Sequence, residues 1–302
     1  MNHLLVTGSI GIDTVETPLG RAENVLGGSA VYFSLAAALY APTRMVAAVG
    51  GDFDDRLLAP LKARGVDVSG IEVRPGSRTF RWSGRYEGAM NEAQTTAVAL
   101  NVLAEDAPKI PPAFTDSRCL FLANTHPAIQ AEFAQRFKHC EFIMCDTMNF
   151  WIETEGAALA TALKNVHGLV LNEGEARLMT GRTNLITAGR EILRRGPRVV
   201  IIKKGEHGAL MFTGDEVASQ PAFPTEKVVD PTGCGDTFAG ALMGYLTSKG
   251  KFDSATIRAA MARGAAAASI VLESFSIDAS AGATKAIVEE RVAGLRRASS
   301  FE

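Results

Sequence analysis

The chain has 302 residues, of which 47% are hydrophobic and 21% are charged, and its formal net charge is −2. This composition is typical of a globular protein with one large α/β domain or two small ones, and it gives no basic surface for nucleic acid. The chain contains no run of about 18 apolar residues and its N-terminus lacks a signal-peptide pattern, so we expect no membrane partner.

The four cysteines form no CxxC pair. In a chain of this size they indicate reduced thiols and a cytoplasmic protein. Cys140 and Cys145 flank a predicted strand, and buried thiols are a better interpretation of this pair than a metal site.

The first predicted strand, Leu4-Leu5-Val6-Thr7, ends at Gly8, and Asp13 follows it closely. The ends of strands in α/β sheets commonly carry ligand sites. The residues alone leave two interpretations of Asp13 open, a ligand-binding aspartate or a turn aspartate. Gly27-Gly28-Ser29 then begins a mostly buried helix, with Ser29 as the expected N-cap.

Two segments have a strand pattern that differs from the rest of the chain. Residues 14–26 alternate weakly, and residues 70–100 contain Phe80, Trp82 and Tyr86 at the same parity, which gives one strand an aromatic face. The pattern favours the core of a small sheet or a dimer face over direct contact with a substrate.

Polar residues follow three later predicted strands, as Asn124, Asp146 and Asn172. Asn124 lies at the end of its strand and is a candidate for substrate contact. Strands alternate with helices along most of the chain, so we expect a mainly parallel sheet with helices on both faces.

Asn172 and Glu175 lie three residues apart at the start of a predicted helix, so both side chains point the same way. An amide and a carboxylate in this arrangement can order water around Mg²⁺. A capping box explains the same residues structurally, and the spacing alone favours that interpretation.

The segment Val228–Gly240, VVDPTGCGDTFAG, carries the strongest chemical signal. A strand ends at Asp230-Pro231, a glycine-rich turn follows, and a helical pattern begins after Asp236. Such a turn presents free N–H groups and the positive end of a helix dipole to an anion. Beside a phosphoryl group, Asp236 would accept the proton of a hydroxyl nucleophile.

Two other nucleotide motifs are excluded at this segment. Phe238 stands where the dinucleotide fingerprint needs its third glycine. The chain also has no G-x-x-x-x-G-K-[ST] sequence, so this is not an ordinary P-loop.

Asp230-Pro-Thr-Gly-Cys-Gly-Asp236-Thr-Phe resembles the C-terminal signature of the ribokinase-like (pfkB) family of carbohydrate and nucleoside kinases, roughly D-[TP]-T-[GA]-A-G-D-[ST]-F. Cys234 departs from the alanine that is usual there. Gly27-Gly28 and the N-x-x-E of Asn172–Glu175 match further family segments in the same order. The resemblance implies one α/β three-layer sandwich over residues 1–302, with a mainly parallel central sheet and a small β lid from about 14–26 and 70–100.

The resemblance also implies catalytic and metal roles. Asp236 would be the general base, and the N–H groups of Gly233, Cys234 and Gly235 would stabilise the transferred phosphoryl group. Mg²⁺ would be held partly through water near Asn172 and Glu175, a use of this pair that the resemblance favours over capping. Asp230 and Thr232 match positions around a monovalent cation, K⁺.

Further residues would hold the two substrates. The resemblance implies that Asp13, Gly27 and Gly28 bind the acceptor, with Asn124 nearby. Tyr32 stands where the family has an asparagine, which indicates a different grip on the acceptor. The predicted nucleotide-binding residues are Asn172, Lys203, Gly205, Gly208, Thr232 and Gly264. Lys203 replaces the usual threonine, and the sequence leaves open whether it faces a phosphate or solvent.

The implied function is ATP-dependent transfer of the γ-phosphoryl group to a hydroxymethyl group of a nucleoside or sugar. The D-P-T-G sequence, Tyr32 and the aromatic strand slightly favour a nucleoside. The alternatives are a free-sugar kinase and, less favoured, a non-catalytic nucleotide-binding protein. A homodimer through the lid is a further expectation.

Overall fold

The computed structural model describes residues 2–300. Its strands are β1 (Leu4–Thr7), β2 (Gly11–Thr17), β3 (Gly20–Gly27), β4 (Thr43–Gly50), β5 (Asp67–Arg74), β6 (Phe80–Tyr86), β7 (Ala93–Ala99), β8 (Cys119–Leu122), β9 (Phe142–Cys145), β10 (Gly168–Asn172), β11 (Val199–Lys203), β12 (Ala209–Thr213) and β13 (Glu216–Gln220). Its helices are α1 (Ser29–Ala37), α2 (Ala59–Ala63), α3 (Pro127–Arg136), α4 (Asn149–Thr154), α5 (Gly156–Leu163), α6 (Glu173–Thr180), α7 (Leu185–Leu193), α8 (Cys234–Lys249), α9 (Ser254–Val271), α10 (Asp278–Gly282) and α11 (Lys285–Ser299).

Nine strands form the large sheet, in the order β13-β12-β11-β10-β9-β8-β1-β4-β5. The pairs from β5 across to β11 are parallel, whereas β12 and β13 add an antiparallel edge. The central strands β1, β8 and β9 are buried along their whole length, as expected where helices cover both faces. The predicted mainly parallel sheet is confirmed.

Two apolar clusters separate the helices into two outer layers. Leu4 and Val6 of β1 pack with α1, α8, α9 and α11, whereas Leu5 between them packs with α3, α5, α6 and α7. Successive side chains of a strand point to opposite faces, so one short buried strand contributes to both clusters. The molecule is therefore the three-layer α/β sandwich that the resemblance implied.

A second sheet of four strands, in the order β3-β2-β6-β7, forms the structure that we call the lid. Here β2 pairs antiparallel with β3 and parallel with β6, and β6 pairs antiparallel with β7. Residues 70–74, which we predicted in the lid, lie in β5 and pair with β4 of the large sheet. The prediction was wrong there because an exposed edge strand of either sheet shows the same alternation.

Helices α1 and α8 approach each other backbone to backbone. A side chain on Gly240 would collide with the Phe33 carbonyl, and one on Gly244 would meet the Ala37 carbonyl oxygen at 2.5 Å. Glycine removes the Cβ atoms that would hold the helices apart. This packing brings the N-terminal turns of α1 and α8 to the same end of the sandwich.

Within residues 2–300, no helix is long and apolar enough to cross a membrane. All four cysteines are free thiols, and three of them are fully buried: Cys119, Cys140 and Cys145. Burial raises the pKa of the Cys119 thiol to about 11 and that of the Cys140 thiol to about 12. These thiols are core residues, as the sequence indicated.

Candidate active site

The candidate site lies where the carboxyl ends of the central parallel strands face the start of α8. Asp146 follows β9, Asn172 ends β10, and Lys203 ends β11 opposite Asn172 in the strand register. In open α/β sheets this edge is the usual position of ligand sites.

The turn before α8 is held in place by Asp230. One Asp230 oxygen accepts a hydrogen bond from the Thr232 amide at 2.8 Å, and the other accepts one from the Ser276 amide at 3.3 Å. Gly233 is the N-cap of α8 and has φ of +77°, a conformation that glycine adopts without strain. The face of the Tyr32 ring packs against Gly233 and leaves no room for a side chain there.

Asp236 lies in the first turn of α8 and is half-buried. Burial raises the pKa of its carboxyl from 3.8 to about 6, while Lys203 and the backbone N–H oppose that rise. An acid with this pKa is largely ionised at neutral pH and still accepts a proton readily, which are the properties of a general base.

Lys203 points into the site rather than into solvent. A Cβ atom placed on Gly235 would lie 2.5 Å from Lys203 Nζ, so the ammonium group lies beside the glycine turn. The positive charge there lowers the pKa values of Asp236 and Glu175 relative to burial alone. An anion bound at the turn would therefore meet both helix N–H groups and a cation.

Asp146 is a candidate site residue to which the sequence analysis gave no role. Its side chain is 7% exposed, its Oδ1 atom has no hydrogen-bond partner among the described residues, and its pKa lies well above the usual range. Burial is the main cause, and the nearby charge of Asp236 adds to it. The only signal in the sequence was an acid directly after a buried strand.

Asn172 and Glu175 form the capping box. The Glu175 amide donates to Asn172 Oδ1 at 2.8 Å, and the Asn172 amide donates to Glu175 Oε2 at 2.7 Å. Burial raises the pKa of the Glu175 carboxyl, which is 7% exposed. The capping function that the spacing favoured is present, and a role toward Mg²⁺ stays a prediction.

The donor set nevertheless fits a hydrated Mg²⁺ ion. The charge of Asp236 raises the pKa values of Asp146 and Glu175, and Lys203 lowers the pKa values of all three carboxyls. Mg²⁺ keeps several waters and binds through few carboxylates plus phosphate oxygens. The part of the chain that the structure describes contains no group of three or more acidic, histidine or cysteine side chains arranged to bind a metal directly.

Of the predicted acceptor residues, Asp13, Gly27 and Gly28 lie together next to the start of α1. Asp13, on β2, packs directly over Gly27 and leaves no space for a side chain there. Its carboxyl is 4% exposed, and Oδ1 lacks a hydrogen-bond partner within residues 2–300. Burial, followed by the charges of Asp230 and Asp236, raises its pKa to about 7, against a hydrogen bond from the Gly28 amide.

Gly28, with φ of +100°, is the residue before α1. Ser29 is not the N-cap that we predicted but the first helical residue, and its hydroxyl lies 3.1 Å from that of Ser9. The prediction was wrong because Gly28 takes a conformation that only glycine tolerates, which shifts the start of the helix by one residue.

The lid adds aromatic side chains to the acceptor side. Phe80 lies over Gly11, and the Trp82 ring lies across Gly84. Tyr86 is buried, and its hydroxyl accepts a hydrogen bond from the Thr232 hydroxyl at 3.3 Å. The lid therefore contacts the turn that carries the proposed base.

Two other predicted residues, Asn124 and Gly264, have clear structural partners. The Asn124 amide accepts from Trp151 Nε1 at 2.9 Å and donates to the Met148 sulfur at 3.1 Å. Gly264 is buried in α9, where a Cβ atom would lie 2.8 Å from the Phe238 ring. Direct contact of Asn124 with an acceptor and of Gly264 with a nucleotide stays a prediction.

Gly205 and Gly208 shape the turn between β11 and β12. Both have positive φ angles, +54° and +82°, and the Lys204 amide donates to the Gly208 carbonyl at 2.7 Å. The turn continues directly from Lys203, so it lies on the same side of the site as the Lys203 ammonium group. Binding of nucleotide phosphates at this turn stays a prediction.

The Asp13 carboxyl makes the stability of the ligand-free protein fall as pH rises. Its pKa is about 7 in the folded chain against 3.8 ordinarily, so between these values the folded state binds more protons than the unfolded state. The stabilisation is fully present only below about pH 4, decreases as pH rises between the two pKa values, and is lost above about pH 7. We expect Asp13→Asn to raise Tm at about pH 8, by roughly 2 °C for each kcal/mol of unfolding free energy recovered, and to have a much smaller effect near pH 4.

Thermal unfolding of the wild type and the variant across this pH range measures the effect. Asp215→Asn, at an exposed position, is the matched control. An equal shift of Tm at both pH values would contradict the assignment of the effect to the Asp13 charge.

Comparison with known proteins identifies the family. The sequence pattern of the pfkB family carbohydrate kinases matches residues 1–282. A cytidine kinase from Thermococcus kodakarensis is 30% identical to this chain over 251 residues, which cover 81% of this chain and 89% of the relative.

Solved structures agree in fold. The Methanocaldococcus jannaschii nucleoside kinase, described as an archaeal member of the ribokinase family, superposes with a TM-score of 0.77 at 18% identity, over 97% of this chain and 99% of that one. The Burkholderia thailandensis nucleoside kinase in complex with ADP and inosine gives a TM-score of 0.79 at 20% identity, over 97% and 95% of the two chains.

At these identities the structural likeness shows the fold, whereas the family pattern and the relative at 30% identity show the membership. The chain belongs to the pfkB family of carbohydrate kinases, and it is an ATP-dependent kinase that acts on a hydroxyl group of a sugar or nucleoside.

Proposed function

We propose that this protein phosphorylates the primary hydroxyl of a nucleoside, with Asp236 as the general base. The observation that carries the proposal is the position of Asp236 in the first turn of α8, beside a glycine turn and near Lys203, with a pKa of about 6. Phosphoryl transfer to a hydroxyl needs a base whose pKa lies near the working pH and a turn that binds the anionic phosphoryl group.

In the proposed mechanism the γ-phosphoryl group lies over the amides of Gly233, Cys234 and Gly235. The Gly233 and Gly235 N–H groups and Lys203 stabilise the charge of the transferring group. The Cys234 N–H donates to the Pro231 carbonyl at 3.1 Å in this structure, so it acts on the phosphoryl group only as a shared donor. Asp236 accepts the proton as the acceptor oxygen attacks phosphorus, and ADP leaves. Cys234 acts through its backbone amide only, since its thiol contacts the Ala268 carbonyl at 3.7 Å and burial raises its pKa.

Two cations complete the proposed site. Mg²⁺, bound through water near Asn172 and Glu175, would neutralise charge on the ATP phosphates, and the buried Asp146 carboxylate belongs to the same cluster. K⁺ would lie near Asp230 and Thr232. Asp230 is only 1% exposed and forms no ion pair among the described residues, which supports a bound cation as its charge partner.

The acceptor class is argued from the aromatic side chains and the relatives. Tyr32 is fully buried between Asp13 and the turn before α8, which we call the transfer turn (residues 230–235). Burial and the charges of Asp13, Asp230 and Asp236 raise the pKa of its hydroxyl. Phe80 and Tyr86 face the same region from the lid. Flat apolar surfaces of this kind suit a nucleobase, and the cytidine kinase relative supports that acceptor class.

Asp236→Asn tests the base. We expect kcat to fall by ~10²–10⁴, the range for loss of general-base catalysis, while the fold is kept. Cys234→Ala is the matched control, because it keeps the backbone amide and should retain activity within a few fold. Steady-state ADP release and thermal unfolding measure both effects. Turnover of Asp236→Asn near the wild-type rate would remove Asp236 as the base.

A panel of acceptors tests the substrate class. With Mg-ATP we expect a kcat/KM at least about tenfold higher for cytidine or another nucleoside than for free ribose or fructose, since base stacking contributes ~1–3 kcal/mol. Turnover of a free sugar alone would keep the mechanism and make the protein a free-sugar kinase. ATP binding without turnover of any acceptor would favour a non-catalytic nucleotide-binding protein.

We further propose a cytoplasmic homodimer formed through the lid. Strand β7 is exposed at all seven positions and pairs with β6 on one side only, so its free edge is open to the same strand of a second copy. The four free thiols support the cytoplasmic location, because disulfides are rare in the reducing cytoplasm. Sedimentation velocity should show a dimer for the wild type and a monomer for Thr96→Pro, and a wild-type monomer at all concentrations would refute the dimer.

A further inference from the structure

The tip of the lid hairpin, residues 87–92 between β6 and β7, lies against the turn after β11. We call this part of the site the donor side, because we assigned it to ATP. Asn91 Nδ2 donates a hydrogen bond to Glu206 Oε1 at 3.2 Å, and Asn91 Oδ1 lies directly over Gly205. Gly205 and Glu206 belong to the turn after β11, to which we assigned the nucleotide phosphates. A lid that only covered the acceptor would not need this contact.

The hairpin reaches a second donor-side element. A Cβ atom placed on Gly174 would lie 3.6 Å from Glu92 Oε1, so the Glu92 carboxylate lies close to the first turn of α6. A carboxylate is favourable near a helix N-terminus. The same turn carries Asn172 and Glu175, the residues that we assigned to Mg²⁺.

Tyr86, the last residue of β6 before the hairpin tip, also contacts the transfer turn, because its hydroxyl accepts a hydrogen bond from the Thr232 hydroxyl. Three residues of the segment 86–92 make these contacts: Tyr86 with the turn before α8, Asn91 with the turn after β11, and Glu92 with the start of α6. These three elements surround the position of the transferring phosphoryl group. The hairpin therefore spans the site from the acceptor side to the donor side.

We propose that the lid is closed by the nucleotide as well as by the acceptor, and that Asn91 is the positioning residue that joins it to the donor turn. The Asn91–Glu206 hydrogen bond exists only when the hairpin lies on the turn. A nucleotide that orders the turn therefore favours the closed lid, and the closed lid strengthens nucleotide binding. This inference rests on the proposed position of ATP along the turn after β11.

Hydrogen exchange with the non-hydrolysable analogue AMP-PNP and Mg²⁺, without any acceptor, tests the contact. We expect slower exchange in residues 204–208 and also in 87–92. Protection of 204–208 alone would overturn the inference about the lid. Binding of the analogue without protection of 204–208 would overturn the proposed position of ATP instead, so the two failures are distinguishable.

Exchanging the amide of Asn91 and the carboxylate of Glu206 tests the role of Asn91. Asn91→Asp places a carboxylate opposite Glu206 and should weaken AMP-PNP binding and raise KM for ATP roughly three- to tenfold, the range for one net hydrogen bond. Adding Glu206→Gln restores an amide–carboxylate pair with the partners reversed. We expect the double variant to bind within about twofold of the wild type.

Calorimetric titration with AMP-PNP measures the affinity of Asn91→Asp, of the double variant and of a control, and thermal unfolding checks that each variant is folded. Gln94→Ala is the matched control on the same hairpin, because its exposed side chain makes no hydrogen bond within residues 2–300. Its affinity should not change. A double variant as weak as Asn91→Asp, or an unchanged affinity in Asn91→Asp, would show that Asn91 does not couple the lid to the donor turn.

Discussion

The site depends on the burial of several carboxylates with one ammonium group among them. Burial raises the pKa values of Asp146, Glu175 and Asp236, the charge of Asp236 adds to the rise at the other two, and Lys203 opposes all three shifts. Charges removed from water are unfavourable unless they are paired, so the ligand-free site is electrostatically incomplete. Binding of a metal with its nucleotide would supply the missing positive charge. Burial raises the pKa of Asp236 to about 6 and Lys203 limits that rise, so the same balance of burial and charge sets the protonation of the proposed base.

The glycine positions fix the geometry in which these charges act. Gly233 turns the chain into α8 under the Tyr32 ring, and Gly27 leaves the space that Asp13 occupies. A side chain at either position would displace the acceptor side from the transfer turn. The lid completes the enclosure through Tyr86, which is tied to Thr232. The polar groups of the site are thus positioned by backbone approaches that only glycine allows, rather than by long flexible side chains.

Much of this arrangement was predictable from the sequence because it depends on local patterns. The strand–turn–helix pattern around Asp236 and the order of strands and helices follow from periodicity and glycine placement. The direction of Lys203 was not predictable, because it depends on how the end of β11 meets the start of α8. Asp146 carries no spacing motif, so nothing distinguished it from a turn aspartate. Residues 70–74 were assigned to the wrong sheet, since pairing partners far apart in sequence leave no trace in local alternation.

The backbone contact between α1 and α8 also has a mechanical consequence. Gly240 and Gly244 lie against carbonyl oxygens of α1, so at these two turns the helices are in direct backbone contact and resist sliding past each other. We therefore expect the N-terminal turns of α1 and α8 to move together as one rigid unit. If the proposed acceptor and phosphoryl positions lie at these turns, closure of the site comes from the lid and from the turn after β11 rather than from the helix pair.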